Sequence, residues 1–170
     1  MLVIYYNNHM SDDKTIRETL VAFLKGGNAY MPFSEVVSDF PEAHMNDIFP
    51  NGTYTPWYLL EHTRITQRDI VDFIRNSNYK ERLWPDDYWP QKDKKATKKE
   101  WEKTLSQYEE DKSTLEKIVK DPKTNLYSKI PQGTGQTIFR EIMLVVDHNA
   151  YHLGEFAIMR QVMKTWNKKY

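Results

Sequence analysis

The chain has 170 residues, long enough for one domain with a real core, and its 24 basic and 24 acidic side chains cancel. That balance leaves no global field to gather nucleic acid or an anionic membrane. Cysteine is absent, so disulfides, thiolate ligands and a cysteine nucleophile are excluded, and any metal must be held by histidine or carboxylate.

The opening MLVIYY lacks a basic region and soon runs into NNHM, too short and wrongly flanked for a secretory signal. The longest aliphatic run, Ile142 to Val146, is far short of the roughly 20 apolar residues of a membrane span. The expectation is a soluble, cytoplasmic protein. Residues 1–9 read either as an edge strand or as an extension ahead of a native start at Met10. Ser11, the acids after it, and Ile16, Leu20, Phe23 and Leu24 predict a first helix stopped by Gly26-Gly27. Three prolines and the turn PNGT make residues 28–55 a decorated loop, with one or two helical turns in FSEVVSDF.

Thr55-Pro56 caps a second helix that runs to about Asn76, with Trp57, Leu60, Ile70, Phe73 and Ile74 expected to be buried. The next twenty residues carry LWPDDYWP and no helical period, which predicts a connection crossing the bundle, its aromatics capping a core or forming a lid or dimer contact. From about Thr97 to Lys120, Trp101, Leu105, Tyr108, Leu115 and Val119 form a stripe with Lys112 in its polar slot. A last helix from near Gln136 aligns Ile138, Ile142, Val145, Asn149, His152, Phe156, Met159 and Met163. Four amphipathic helices with no strand pattern predict an all-α four-helix bundle, and the long connections make an up-down-down-up order at least as plausible as a meander.

Two of the five histidines, His148 and His152, stand one turn apart on the last helix, where both imidazoles reach one ion at about 2.0–2.1 Å. His62 on the second helix is the natural third ligand if the two helices pack antiparallel. Three neutral imidazoles with an open position form the catalytic type of zinc site, and nickel or iron would suit nearly as well. A lone histidine on an apolar helix is more often a hydrogen-bonded core residue, but two adjacent buried imidazoles compete for acceptors, and a shared cation removes the conflict. His9 is left as solvated and His44 as a candidate fourth ligand. Glu155 and Asp69 are placed to orient a ligand or act as base, although acids on helices usually face solvent. Zinc proteases carry a glutamate directly after the first histidine, where this chain has Asn149. Di-iron bundles need Glu-x-x-His, and Leu59, Val145 and Asn149 occupy those positions.

TPWYLLEHTRITQRDI, YKERLWPDDYWP and above all DHNAYHLGEFAIMR resemble the DinB-like (YfiT-like) metalloenzyme family over nearly the whole chain. The resemblance implies a single domain over residues 1–170, an up-down-down-up bundle, and a divalent zinc or nickel ion on His62, His148 and His152. Characterised members of that family are thiol-S-transferases or isomerases using low-molecular-weight thiols such as bacillithiol and mycothiol, and many form homodimers. The expectation is a metal-dependent transferase or hydrolase acting on a small molecule. The competing reading is a non-catalytic bundle, its metal structural or adventitious, that works through dimerisation or a partner.

Overall fold

The computed structural model describes residues 2–166, with side chains from Asp12 onward. Among these the chain is all-helical: α1 (Leu2–Lys25), α2 (Phe33–Val37), α3 (Pro56–Arg75), α4 (Lys98–Lys120) and α5 (Ile138–Met163), with 3-10 turns at Glu42–His44 and Asp86–Tyr88. One isolated bridge, Lys129 to Thr137, is the sole strand-like pairing among the described residues. No described helix is long and apolar enough to cross a membrane.

Three of the long helices start on a threonine whose hydroxyl accepts an orphan backbone N–H of the first turn: Thr55 from Tyr58, Thr97 from Glu100, and Thr137 from Arg140. At Thr97 the Glu100 carboxylate reaches back to the cap N–H and completes a capping box. Helix α1 stops where Gly26 and Gly27 take positive φ, conformations that suit a residue without Cβ.

Helix α1 begins well before Ser11, and the edge strand expected over residues 1–9 does not form; those from Leu2 onward are helical. Neither glycine nor proline interrupts the chain from Leu2 to Lys25, so the Ser11-Asp12-Asp13 cap signal lies within a continuous helix.

Helices α1 and α3 each pack against both α4 and α5, and α2 lies on α5. Along α3 and α4 the cross-contacts rise together: Glu61 with Thr104, Gln67 with the Tyr108 carbonyl, Arg68 with Asp111. Between α3 and α5 they run oppositely, since His62 meets His152, Gln67 meets Asn149, and the Phe73 carbonyl meets Gln132 ahead of α5. At the far end of α4, the Arg17 guanidinium of α1 donates to the carbonyls of Val119, Asp121 and Thr124.

Two apolar clusters result. One gathers Phe33, Val36, Leu60, Trp101 and Phe156, the other Leu20, Ile70, Leu115, Ile142 and Val145. On α3, α4 and α5 the residues between these clusters are polar and buried: His62 and Gln67, Asp111, Asn149 and His152.

Some positions differ from the sequence pattern. Phe73, Ile74 and Leu105 are half-buried. On α4 the buried charged group is Asp111, ion-paired with Arg68 at 3.1 Å, while Lys112 is half-buried and pairs with Glu109. Arg160 of α5 is fully buried, donating to the carbonyls of Val36 and Thr165 and to Asp39, with Trp166 over its guanidinium.

Candidate metal centre

His62 sits near the start of α3 and His148 and His152 near the middle of α5, where the opposite contact order of the two helices brings them level. The three Nε2 atoms form a nearly equilateral triangle: 3.2 Å from His62 to His152, 3.2 Å from His62 to His148, and 3.1 Å from His148 to His152. His62 and His152 are buried and His148 is half-buried. All three expected ligands therefore converge, and they are the one cluster of this kind among the described residues.

The protons decide what the triangle can be. His62 Nδ1 lies 2.7 Å from the main-chain oxygen of Tyr88, which can only accept, so Nδ1 carries the hydrogen. His152 Nδ1 lies 2.6 Å from Glu155 Oε2 and donates to that carboxylate. In the neutral rings both Nε2 atoms are then bare lone pairs, facing each other at 3.2 Å with no proton between them. A hydrogen on His148 Nε2 would serve only one of them well. Nor does protonation resolve the conflict. Burial lowers the His62 pKa, and burial followed by repulsion from His152 and His62 takes His148 down to about 3.

A divalent cation meets all three lone pairs at once. Nitrogens bonded at about 2.0–2.1 Å to a tetrahedral ion stand about 3.3–3.4 Å apart, against about 3.6 Å around a planar three-coordinate one. The observed edges fall on the tetrahedral side, the geometry of three protein ligands with a fourth position left over. The donor set fits.

No protein-family model, curated protein or solved structure matches this chain.

Around the triangle, each imidazole-orienting group is itself held. Glu155 accepts a second bond through Oε1 from the Tyr54 hydroxyl at 2.8 Å, and burial together with that carboxylate pushes the Tyr54 pKa up, so the phenol remains a donor. Trp89 stacks on the His62 ring with centroids 4.0 Å apart and planes 7° from parallel, and Tyr54 packs against Trp89 at 5.5 Å. Below the histidines, Asn149 Nδ2 donates to Gln67 Oε1 at 3.1 Å and to the Tyr108 hydroxyl at 2.9 Å, while Gln67 Nε2 donates to the Tyr108 carbonyl.

Of the two carboxylates singled out by sequence, Glu155 touches one of the three histidines, His152, directly. Asp69 lies two turns farther along α3 and receives the Tyr88 and Tyr79 hydroxyls and Arg82. His44 stays apart on an exposed 3-10 turn, paired with Asp47 at 2.9 Å, and is not a fourth ligand. The roles of Tyr54, Trp89 and the Tyr88 carbonyl escape the sequence reading. LWPDDYWP announces an aromatic cover, but a main-chain acceptor has no side-chain signature. The connection that carries it runs back along α3, touching Asp69, then His62, then Tyr58 through the Gln91 carbonyl.

Proposed function

We propose that the chain is a DinB-like metalloenzyme, an up-down-down-up four-helix bundle that holds one divalent ion on His62, His148 and His152. One observation carries the reading: two imidazoles whose protons are committed to Tyr88 and Glu155 point bare nitrogens at each other across 3.2 Å. The up-down-down-up order is supported by contacts that rise together between α3 and α4 and oppose each other between α3 and α5. Imidazole donors suit zinc, nickel or iron, with zinc or nickel proposed here.

An ion so held supplies Lewis acidity, lowering the pKa of a water or thiol at its open position. The chain's own groups do the rest. Glu155 keeps the His152 proton on Nδ1 and raises the basicity of Nε2, Tyr54 fixes Glu155, and Trp89 keeps water off one face of His62. The chemistry proposed is transfer of a low-molecular-weight thiol to a small electrophile, or hydrolysis of one, in the cytoplasm. Pairing into a homodimer is supported by Tyr151, Ile158 and Val162, exposed along α5.

Metal analysis of untagged protein tests the reading. One ion per chain is expected, lost in His148→Ala while the far-ultraviolet dichroism is retained. No stoichiometric metal, or metal indifferent to that substitution, refutes it.

A further inference from the structure

The connection between α3 and α4 is held at one point and acts at another. Its anchor is Asp69, a carboxylate 7% exposed on α3. Asp69 Oδ2 accepts the Tyr88 hydroxyl at 2.8 Å, both oxygens lie 3.2 Å from the Tyr79 hydroxyl, and Arg82 Nε stands 3.2 Å from Oδ1. Three side chains of one connection thus converge on a single buried acid. Burial and that acid push both phenols up, Tyr79 to about 12, so each stays a donor. The point of action lies about 10 Å along the helix, seven residues at 1.5 Å each. There the Tyr88 carbonyl takes the His62 Nδ1 proton at 2.7 Å, and the next residue, Trp89, stacks on the same ring.

The two ends of Tyr88 therefore do different work. Its hydroxyl is the tether and its carbonyl fixes the tautomer of a metal ligand. With the tether cut, Tyr88 keeps its N–H bond to the Pro85 carbonyl and its Trp84 ring contact, both within the connection. The holds on α3 that remain nearby are the Trp89 stack and the Tyr58 bond to the Gln91 carbonyl, neither made by Tyr88 itself. His62 would then be free to carry its proton on Nε2, the atom a metal needs bare.

We propose that Asp69 is a positioning residue for the metal centre, acting through Tyr88 to hold His62 in its ligating tautomer, so that metal affinity and order in the α3–α4 connection are linked. This rests on the three-histidine metal reading. It adds a residue that touches no ligand ring, and a direction of influence running from the connection to the ion. The same acid and both tyrosines also wall a 350 Å³ cavity between α3 and the start of α5, so a molecule lodged there would touch the tether itself.

Asp69→Asn, Tyr88→Phe and the double variant test it, with zinc affinity measured by chelator competition and the His62 tautomer in metal-free protein read from ¹⁵N imidazole shifts. Each single variant is expected to weaken zinc binding about tenfold, as loss of a group supporting a ligand does. The double variant should be no weaker than the worse single, because both substitutions cut one chain of contacts. In both, the His62 shifts should move from the Nδ1–H form toward a mixture. Asp111→Asn, which removes a comparably buried acid that pairs with Arg68 of α3 rather than with the connection, controls for general loosening and should leave affinity unchanged.

Wild type that binds zinc while Tyr88→Phe stays within about twofold of it, with His62 still Nδ1–H, overturns the inference and leaves the metal reading standing. Wild type that binds no zinc overturns the metal reading, and this inference with it. If Asp69→Asn does not fold, Tyr88→Phe decides alone, since it removes one oxygen and leaves the carboxylate in place.

Discussion

Giving a divalent ion back to chelator-stripped protein should raise its melting temperature, and the triangle of imidazoles sets both sign and size. Metal-free, the site holds bare nitrogens of His62 and His152 at 3.2 Å, with His148 Nε2 equally near both. The Tyr88 and Glu155 bonds hold the two rings in that crowding, and the unfolded chain does not suffer it. An ion that binds only the native form, at a free concentration 100 times its dissociation constant, stabilises by about 2.7 kcal/mol. For a chain of this size each kcal/mol shifts the midpoint about 2–4 °C, so the rise should be about 5–11 °C. His148→Ala should abolish the rise. It should also cost the metal-free protein well under the 2–5 kcal/mol typical of truncating a fully buried side chain, because His148 is half-buried and its loss relieves the crowding. Thermal unfolding followed by circular dichroism, with chelator and then with zinc, measures both. An equal rise in wild type and His148→Ala would refute the three-ligand site. A full-sized loss in the metal-free variant would refute the crowding argument.

Arg160→Met should cost about 3–5 kcal/mol in urea unfolding, since it strips charge-assisted bonds from the buried carbonyls of Val36 and Thr165. Asp39→Asn should cost under about 1 kcal/mol, because that carboxylate is 48% exposed and water replaces its partner. Asn149→Ala leaves Gln67 Oε1 without its donor in the core, a loss of about 1–3 kcal/mol by the same measurement. Metal-free protein should lose stability as pH falls from about 6.5 toward about 3. In that window the unfolded chain protonates its histidine while native His148, held down to about 3 by burial, resists, so the unfolded state binds more protons. Chelator-treated protein scanned across that range checks it.

Helices α3 and α4 were legible because their boundaries are chemical, a capping threonine at each start, a proline in the first turn of α3 and Asp121-Pro122 after α4, while α5 showed in its apolar stripe. The histidine pair of α5 was legible because two imidazoles one turn apart in an apolar run demand an explanation. What sequence missed has physical causes. A strict seven-residue stripe places Lys112 on the α4 seam, yet the buried charged group there is its neighbour Asp111, because Arg68 of α3 stands against it, and a partner on another helix leaves no mark in the α4 sequence. Ser11-Asp12-Asp13 is competent to start a helix, yet competence does not end the one before it, and no breaker intervenes. Arg160 gave only the signal of a base in an apolar seam. Its partners come from Val36, Asp39 and Thr165, whose proximity depends on the docking of α2 and the terminal turn.

The polar layer between the two apolar clusters contains its own control for the metal argument. In its lower half Gln67, Tyr108 and Asn149 meet donor to acceptor: Asn149 gives to Gln67 Oε1 and to the Tyr108 hydroxyl, and Gln67 gives to the Tyr108 carbonyl. That half is what a bland buried polar core looks like, each contact joining unlike partners. The upper half is built from the same two helices, one turn away, yet its His62–His152 contact joins like to like, nitrogen lone pair to nitrogen lone pair. Ordinary core histidines, free to choose tautomers, would place a proton between His62 and His152, as the lower half does between its partners. Here Tyr88 and Glu155 have removed that freedom from His62 and His152, which makes the upper half a poor core and a good ligand set.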